Sequence, residues 1–218
     1  MLIFPSAIVF LLLSIYPLLT GIMLSFQNSS LYKGDEKKFV GLKNIITILT
    51  SDAEFRSDLL FTVIYTIGIV VIAYITGLVF SLLLNADMPC RTLFRVLILI
   101  PWVISPAVSS MSWSWLLSDQ YGFFNNFLKS IGVIDKSILF LADKTLAKIM
   151  VIIIGAWRNF PFITVSLLAG LQGISKDYYE AADIDGANKF QRFRYVTFPH
   201  LKNVSIITIT LVSIWTFN

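Results

Sequence analysis

The chain has 218 residues, of which 56% are hydrophobic and 14% are charged, and its mean hydropathy is +0.79. Soluble domains carry about 25% charged residues, so this composition excludes an ordinary soluble protein and predicts an all-α, polytopic membrane protein. The net charge of +4 is spread over the segments between apolar runs, which indicates attraction to a membrane surface and no nucleic-acid partner.

Apolar segments of the length that crosses a bilayer, about 20 residues, recur along the chain. They cover 1–27, 59–86, 96–118 and 149–175, and a fifth begins near Val204. From Val204 to Asn218 the fifth segment has only 15 residues, too few to cross. We therefore expect a multi-pass membrane protein that stops within its fifth span.

The third apolar segment contains two prolines, Pro101 and Pro106, and three tryptophans, Trp102, Trp113 and Trp115. A proline in a membrane helix frees a carbonyl and bends the helix. Two interpretations follow: a kinked packing helix with tryptophans at the membrane interface, or a helix that lines a substrate path. We favour the packing helix, because neither residue type is rare in membrane spans.

Arg158 is the only charge well inside a predicted span, in the sequence GAWRNFPF. An arginine at the centre of a bilayer is costly, so it is expected to face a cavity, a partner or a lipid headgroup. It could equally be a helix-end anchor whose side chain reaches the interface. As a cavity residue it would suit hydroxyl-rich or anionic ligands, and we place Arg158, Asn159 and Trp113 on the substrate pathway.

A charged segment, residues 176–203, separates the fourth and fifth apolar segments. Ser175 is placed to cap a helix whose first turn holds Asp177 and Glu180, where the helix dipole favours acids. Gly186 can adopt the positive φ that ends a helix. The segment is therefore predicted to be a short helix, a glycine turn, a basic connector and a new helix that begins near Pro199.

Helical spacing places Tyr178, Ala181, Ala182 and Asp185 on one face of the predicted short helix, with small residues in the middle. Beyond Gly186, it places three residues on one side of the connector, opposite the basic ones: Phe190, Phe193 and Thr197. Small residues beside an acid let another protein approach closely, which suits a helix-in-groove interface. Periodicity alone favours an ordinary solvated loop instead.

The order of residues in the charged segment favours the interface. The sequence EAADIDGANKFQRFRYVTFP resembles the EAA signature of permease subunits of ATP-binding cassette (ABC) importers. It has Glu180, Ala181 and Ala182, Gly186 after three further residues, and Pro199 at the end. Val196 and Phe198 stand where that signature usually has isoleucine and leucine, which are mild replacements.

Other stretches resemble the sugar-uptake branch of that family, the maltose and glycerol-phosphate type of permease. They are YPLLTGIMLSF, FVGLKNI, FRVLILIPWVISPAV and LLAGLQGISKDYYEAADIDGA. The resemblance implies the type I ABC importer transmembrane fold. It implies a first span and outer loop over 1–58, an ABC transmembrane domain over 59–218 that is incomplete at its end, and a cytoplasmic EAA coupling loop over 176–203.

By the same resemblance, the chain is a permease in the inner membrane of a bacterium. Its implied partners are a dimer of ABC ATPase subunits, a second permease, an extracytoplasmic solute-binding protein and membrane lipid. The residues implied to dock the ATPase are Tyr178, Glu180, Ala181, Ala182, Asp185 and Gly186. No cofactor is expected on this chain, since ATP and magnesium would bind the partner ATPase.

The sequence supports a permease over an enzyme. It has no G-x-x-x-x-G-K-[ST] phosphate-binding motif, and with His200 and Cys90 as its only histidine and cysteine it has no Cys/His metal cluster and no catalytic constellation. Two alternatives stay open: an ABC permease for a solute other than a sugar, and an ion-coupled secondary transporter. The second calls for an acid within a span, which the sequence does not have.

Overall fold

The computed structural model of the protein describes residues 4–28 and 38–217. Residues 1–3 of the predicted first span and 29–37 of the predicted outer loop lie outside this part. The chain forms two compact units, Met1–Phe61 and Thr62–Asn218.

The first unit is built on one apolar helical segment. It consists of α1 (Phe4–Phe10), a π-helical turn (Leu11–Ile15) and α2 (Tyr16–Ser25). After it, β1 (Gln27–Asn28) pairs antiparallel with β2 (Lys38–Phe39), and α3 (Lys43–Ser51) follows. The side chain of Asn44 in α3 donates hydrogen bonds of 3.0 Å to the carbonyls of Ser25 and Gln27, which connects α3 to the end of α2.

Two long helices dominate the second unit: α4 (Ala53–Asn85), most of which belongs to it, and α8 (Lys144–Gln172). They run in the same direction, since Gly68 lies against Ile152 and Gly77 against Ile163. At Gly77 an added Cβ would come within 2.8 Å of Ile163, so glycine permits this close approach, as small residues do between membrane helices.

A third long helix completes the core. α9 (Lys176–Ile184) and α10 (Lys189–Arg192) lead through a π-helical turn (Phe193–Thr197) into α11 (Phe198–Phe217). The core consists of buried apolar side chains from α4, α8 and α11: Ile69, Ala73, Ala156, Ile163, Leu167, Leu171, Leu201 and Val212.

The third predicted span is a pair of helices joined by a sharp bend, and the bend expected from its prolines is present. The chain forms α5 (Arg91–Val103) and α6 (Pro106–Leu116), which meet at 94°. Ile104 and Ser105 between them are extended, with ψ of 131° and 141°. The cause is Pro106, whose ring disfavours a helical conformation for the residue before it. Pro101, by contrast, is accommodated inside α5.

The fifth predicted span begins earlier than the sequence indicated. Residues from Lys189 to Phe217 form one helical run of 29 residues, long enough to cross a membrane. The predicted basic connector is therefore part of this helix, and Pro199 does not begin a new one. The preceding π-helical turn accommodates the proline: the N–H of Phe198 bonds to Phe193, five residues back. The same arrangement precedes Pro17, where Tyr16 bonds to Leu11.

Within the described residues, four helices are long and apolar enough to cross a membrane, and the bent pair α5 and α6 adds a fifth candidate. The four are Ile8–Ser25, Ala53–Asn85, Lys144–Gln172 and Lys189–Phe217. The short helix α7 (Phe123–Ser130) lies between α6 and α8. The prediction of a multi-pass, all-α protein is confirmed.

Candidate functional site

The start of the charged segment is fixed by side-chain capping. The hydroxyl of Ser175 accepts the N–H of Asp177 at 3.3 Å and donates to the Asp177 carboxylate at 3.0 Å. The predicted cap at Ser175 is therefore confirmed. Only Asp177 lies in the first turn, and Glu180 is one turn further along α9, contrary to our expectation.

The end of α9 is fixed by Gly186, which has φ +75° as predicted. The N–H of Ala187 bonds to the carbonyl of Ala182 at 2.9 Å, and that of Gly186 to Asp183 at 3.1 Å. This is the Schellman arrangement, which needs a left-handed residue after the helix. An added Cβ at Gly186 would meet no atom within 4 Å, so backbone conformation alone favours glycine there.

Three side-chain contacts connect α9 to the helix that follows. The Arg192 guanidinium donates to both carboxylate oxygens of Asp183, at 2.6 and 2.9 Å. Tyr179 and Thr197 share a hydrogen bond of 3.1 Å, and the rings of Tyr178 and His200 lie 4.8 Å apart. The sequence analysis placed Arg192 on the basic side of the connector and predicted none of these three contacts.

The turn between α9 and α10 is closed by a capping box that the sequence analysis also missed. Asn188 accepts the N–H of Gln191, and the Gln191 side chain accepts the N–H of Asn188. Its signal is present in the sequence as Asn followed three residues later by Gln. α9 is thus held at both ends and along its length.

The outer surface of α9 combines an acid, small residues and exposed apolar groups. Tyr178 is 54% exposed and Ile184 is 88% exposed; Glu180, Ala181 and Asp185 are exposed, and Ala182 is half-buried. Of the three residues predicted to share one side of the connector, Thr197 is buried but Phe190 is 73% exposed. The charged segment thus exposes two large apolar side chains on α9, Tyr178 and Ile184, beside its acids and small residues.

The second candidate region is a cavity of about 570 Å³ in the second unit. This volume lies in the range of small-molecule sites. The cavity is lined by aromatic, hydroxyl, amide and apolar residues and one arginine, from five helices and one loop: Tyr65, Trp102, Pro106, Ser109, Ser110, Trp113, Ser114, Leu141, Val151, Ile154, Gly155, Arg158, Asn159, Trp215 and Thr216.

All three residues predicted for the substrate pathway line this cavity: Trp113, Arg158 and Asn159. Arg158 is the fifteenth of 29 residues in α8, so it lies mid-helix and the helix-end alternative is wrong. Trp102 and Pro106 also line the cavity. The α5–α6 segment therefore forms part of the cavity wall, in addition to the packing role that we favoured.

Two polar groups in the cavity lack hydrogen-bond partners. Arg158 Nε and Ser109 Oγ are both buried, and neither bonds to any residue that the structure describes. Ser109 is only 4% exposed. Among the described residues that line the cavity, Arg158 is the only charged one, so none of them is an acid that neutralises it. Buried polar groups usually find partners, so this pair indicates space for a ligand that accepts hydrogen bonds.

Aromatic contacts fix the walls of the cavity. Trp113 stacks on Phe124 at 6.0 Å and meets Trp157 edge-on at 5.3 Å. Phe162 contacts both Trp102, at 5.9 Å, and Trp215, at 5.0 Å. Trp215 and Ser109 carry no signal in the sequence that would place them here, because only the bend before Pro106 and the packing of α11 bring them to α8.

The N-terminal end of α8 is also fixed locally. Asp143 caps it by accepting N–H groups of Thr145 and Leu146 at 3.0 and 2.8 Å. The preceding loop is held by the buried Asn125, whose amide bonds to both backbone groups of Ile138. Within the described part of the chain, no group of three or more His, Cys, Asp and Glu residues could hold a metal ion.

The part of the chain that contains α9 and the cavity matches a known protein family. Residues 57–218 match the family described as "Binding-protein-dependent transport system inner membrane component". The chain belongs to this family. It is therefore an integral membrane protein and the membrane component of a transport system, and the family resemblance found in the sequence is confirmed.

The relatives include sugar permeases. The chain is 38% identical over 179 residues to the "Trehalose/maltose transport system permease protein MalF" of Thermococcus litoralis, covering 82% of this chain and 60% of the relative. It is 31% identical to the "Sulfoquinovosyl glycerol transport system permease protein SmoG" of Agrobacterium fabrum, covering 98% of this chain and 70% of the relative. The chain thus spans about three fifths of the length of the first relative.

Solved structures give the same fold. The chain matches one in the "Crystal structure of bacterial alginate ABC transporter in complex with alginate pentasaccharide-bound periplasmic protein" with a TM-score of 0.82 at 21% identity. The match covers 97% of this chain and 69% of the other. At this identity the likeness shows the fold alone, and the all-α type I importer fold is confirmed.

Proposed function

We propose that the chain is the permease subunit of an ATP-driven importer for a carbohydrate, and that α9 docks an ATPase subunit. The observation that carries the proposal is the exposed surface of α9, which presents Glu180 and Ala181 beside the 88% exposed Ile184 on a helix held at both ends. A rigid, protruding helix with small residues fits a groove on a partner at low entropic cost.

The docking residues have distinct roles. Glu180 anchors α9 to an arginine or to backbone N–H groups of the ATPase, and Ala181 and Ala182 permit close approach. Tyr178 and Asp185 complete the contact face, and Gly186 sets the turn that lets α9 protrude. The residues 176–203 then act as the coupling loop, on the cytoplasmic side.

Motion would pass from the ATPase to the membrane through α9. When ATP closes the ATPase dimer, α9 moves as a rigid body, and the three contacts to the following helix carry the movement into α11. Docking therefore biases an equilibrium between inward-open and outward-open states, to the extent that it is stronger in one of them. ATP and magnesium bind the ATPase, where hydrolysis occurs.

The cavity supports a carbohydrate as the solute. Sugars offer hydroxyl groups to side chains such as Asn159, Ser109 and Arg158, and their apolar ring faces pack on aromatic rings such as Trp113. The names of the relatives, which include trehalose and maltose, support the same class. A second permease would complete the pore, and an extracytoplasmic binding protein would deliver the sugar.

A charge reversal at Glu180 tests the docking proposal. The tagged permease is purified from native membranes, and co-purified proteins with a G-x-x-x-x-G-K-[ST] motif are quantified by mass spectrometry. Glu180→Lys is expected to reduce the recovered ATPase by about tenfold or more, because a charge-assisted contact becomes a repulsion. Glu54→Lys, in the exposed first turn of α4, is the matched control.

Equal ATPase recovery from the wild type, Glu180→Lys and Glu54→Lys would refute the anchoring role of Glu180. A wild-type sample that contains no such ATPase, purified under conditions that retain other membrane complexes, would refute the importer proposal itself.

A further inference from the structure

Two arginines at the start of α5 form no ion pair with any residue that the structure describes. Arg91 is the first residue of α5 and Arg95 lies one turn later on the same face. Both are half-buried, and the Nε of each is shielded from solvent without a hydrogen-bond partner. Neither arginine forms an ion pair with any residue described in the structure, including Asp87, four residues before Arg91.

This arrangement is electrostatically unfavourable by itself. Cations near a helix N-terminus oppose the helix dipole, and like charges at positions i and i+4 repel each other. Shielding a guanidinium N–H from water without an acceptor adds to the cost. An anion from outside the chain, placed between the two guanidinium groups, would reverse all three effects.

The arginines lie at the level where a candidate membrane span, α8, ends. α4 runs parallel to α8, with Gly68 against Ile152 and Gly77 against Ile163, so α4 ends towards the C-terminal end of α8. Arg91 follows the end of α4 by only six residues, and Trp102, near the other end of α5, lies against Phe162 in α8. The two arginines are therefore at the level where α8 ends at Gln172 and the charged segment begins.

The neighbouring side chains select the kind of anion. Leu93, Phe94, Val96 and Leu97, which surround the arginines on α5, are 56, 43, 58 and 47% exposed. Apolar side chains beside a cationic pair suit acyl chains below a headgroup, whereas an acidic protein surface would leave them in contact with polar groups.

We infer that Arg91 and Arg95 bind the phosphate of an anionic phospholipid headgroup. The guanidinium fork matches phosphate oxygens with paired hydrogen bonds, and the acyl chains cover the exposed apolar residues of α5. The site depends on the membrane location of the chain and not on its solute or its ATPase.

Lipid titration of the purified permease tests this inference. The protein in neutral detergent is titrated with phosphatidylglycerol, phosphatidylcholine or inorganic phosphate, and bound lipid is counted by native mass spectrometry alongside the thermal unfolding temperature. Phosphatidylglycerol is expected to bind and to raise that temperature more than phosphatidylcholine does, while inorganic phosphate has little effect. Arg91→Gln with Arg95→Gln is expected to weaken phosphatidylglycerol binding roughly 25-fold, about fivefold for each arginine.

The control is Lys189→Gln with Lys202→Gln, which removes two exposed cations from the segment that follows α9. It changes net charge equally and is expected to retain phosphatidylglycerol binding. Equal loss in both double variants would overturn the site, because only total charge would then matter. Inorganic phosphate that protects as well as the lipid would overturn the lipid assignment.

Two further results keep the inference testable. The first applies if the double variant folds poorly, and the second applies if an anion other than a lipid fills the site. Arg91→Lys and Arg95→Lys keep the charge but lose the fork, and each is expected to bind phosphatidylglycerol several-fold more weakly with an unchanged elution volume. If the lipid has no effect and the arginine variants instead lose a co-purifying ATPase, an acidic partner protein fills the site and the inference is wrong.

Discussion

Gly186 is the residue whose backbone geometry most directly determines the direction of α9. Its φ is +75°, and no neighbouring atom would obstruct a side chain there. The effect of a substitution therefore reports on conformation alone and not on packing.

We predict that Gly186→Val weakens association with the ATPase by about fivefold to thirtyfold, since a left-handed conformation costs a β-branched residue about 1–2 kcal/mol or more. Gly186→Asn is the matched control, because asparagine tolerates this conformation, and it should retain most binding. Association is measured by co-purification or by surface binding of the ATPase. Equal loss with Val and Asn would contradict the conformational explanation.

For Arg158, the functional role is inferred from hydrogen bonds that its side chain does not make to the described residues. Its Nε is buried without a hydrogen-bond partner among the described residues, and of those that line the cavity Arg158 is the only charged one. A group retained at a cost to stability is typical of a binding residue.

We predict that Arg158→Leu raises the thermal unfolding temperature of the permease while lowering carbohydrate uptake by about tenfold or more, because a charged hydrogen bond to the solute is lost. ATPase association should not change. Arg56→Gln, at an exposed position near the start of α4, controls for loss of one positive charge. Unaltered uptake by Arg158→Leu would exclude Arg158 from the solute site.

At the scale of elements, α9 and the helix after it form one unit through the Asp183–Arg192 ion pair. The pair has short contacts of 2.6 and 2.9 Å, but Arg192 and Asp183 are 30% and 54% exposed. Solvent screening limits its contribution to stability to less than about 1 kcal/mol. Its expected importance is for transmitting movement from α9.

We predict that Asp183→Arg lowers solute-stimulated ATP hydrolysis while leaving expression and thermal stability nearly unchanged. The exchange Asp183→Arg with Arg192→Asp should restore stimulation in large part, because the pair reforms in reverse. The measurement is ATPase activity with and without solute and binding protein in proteoliposomes. If the exchanged variant is as defective as Asp183→Arg, the two residues act separately and the ion pair does not transmit movement from α9.

The helix boundaries show which features of the fold could be predicted from the sequence. Local signals located α9 closely, because Ser175 and Gly186 act within a few residues of their own position. The prolines of the third apolar segment predicted a bend, but neither its angle of 94° nor the helical continuity through Pro199 was predicted. Both involve prolines, and whether a helix breaks or continues through a π-helical turn depends on packing that a single sequence does not display.

At the scale of the whole molecule, hydropathy predicted a multi-pass membrane protein and the ordered EAA residues predicted the family. Trp113, Arg158 and Asn159 were predicted to lie near a solute path, and they line one cavity. Ser109, Tyr65 and Trp215 could not be predicted, since they reach that cavity from three different helices. Their positions depend on packing of α4, α6 and α11 around α8.

The most direct test of the account is site-specific cross-linking from α9 to the ATPase. In a Cys90→Ser background, a photoactivatable thiol reagent is attached at Ile184→Cys, where the native side chain is 88% exposed, and at Val133→Cys, 64% exposed in the loop before α8. We expect Ile184→Cys to capture an ATP-binding subunit, with a yield that changes when ATP is added, and Val133→Cys to capture none. No ATPase adduct at Ile184, or equal adducts at both positions, would contradict the claim that α9 couples ATP hydrolysis to transport.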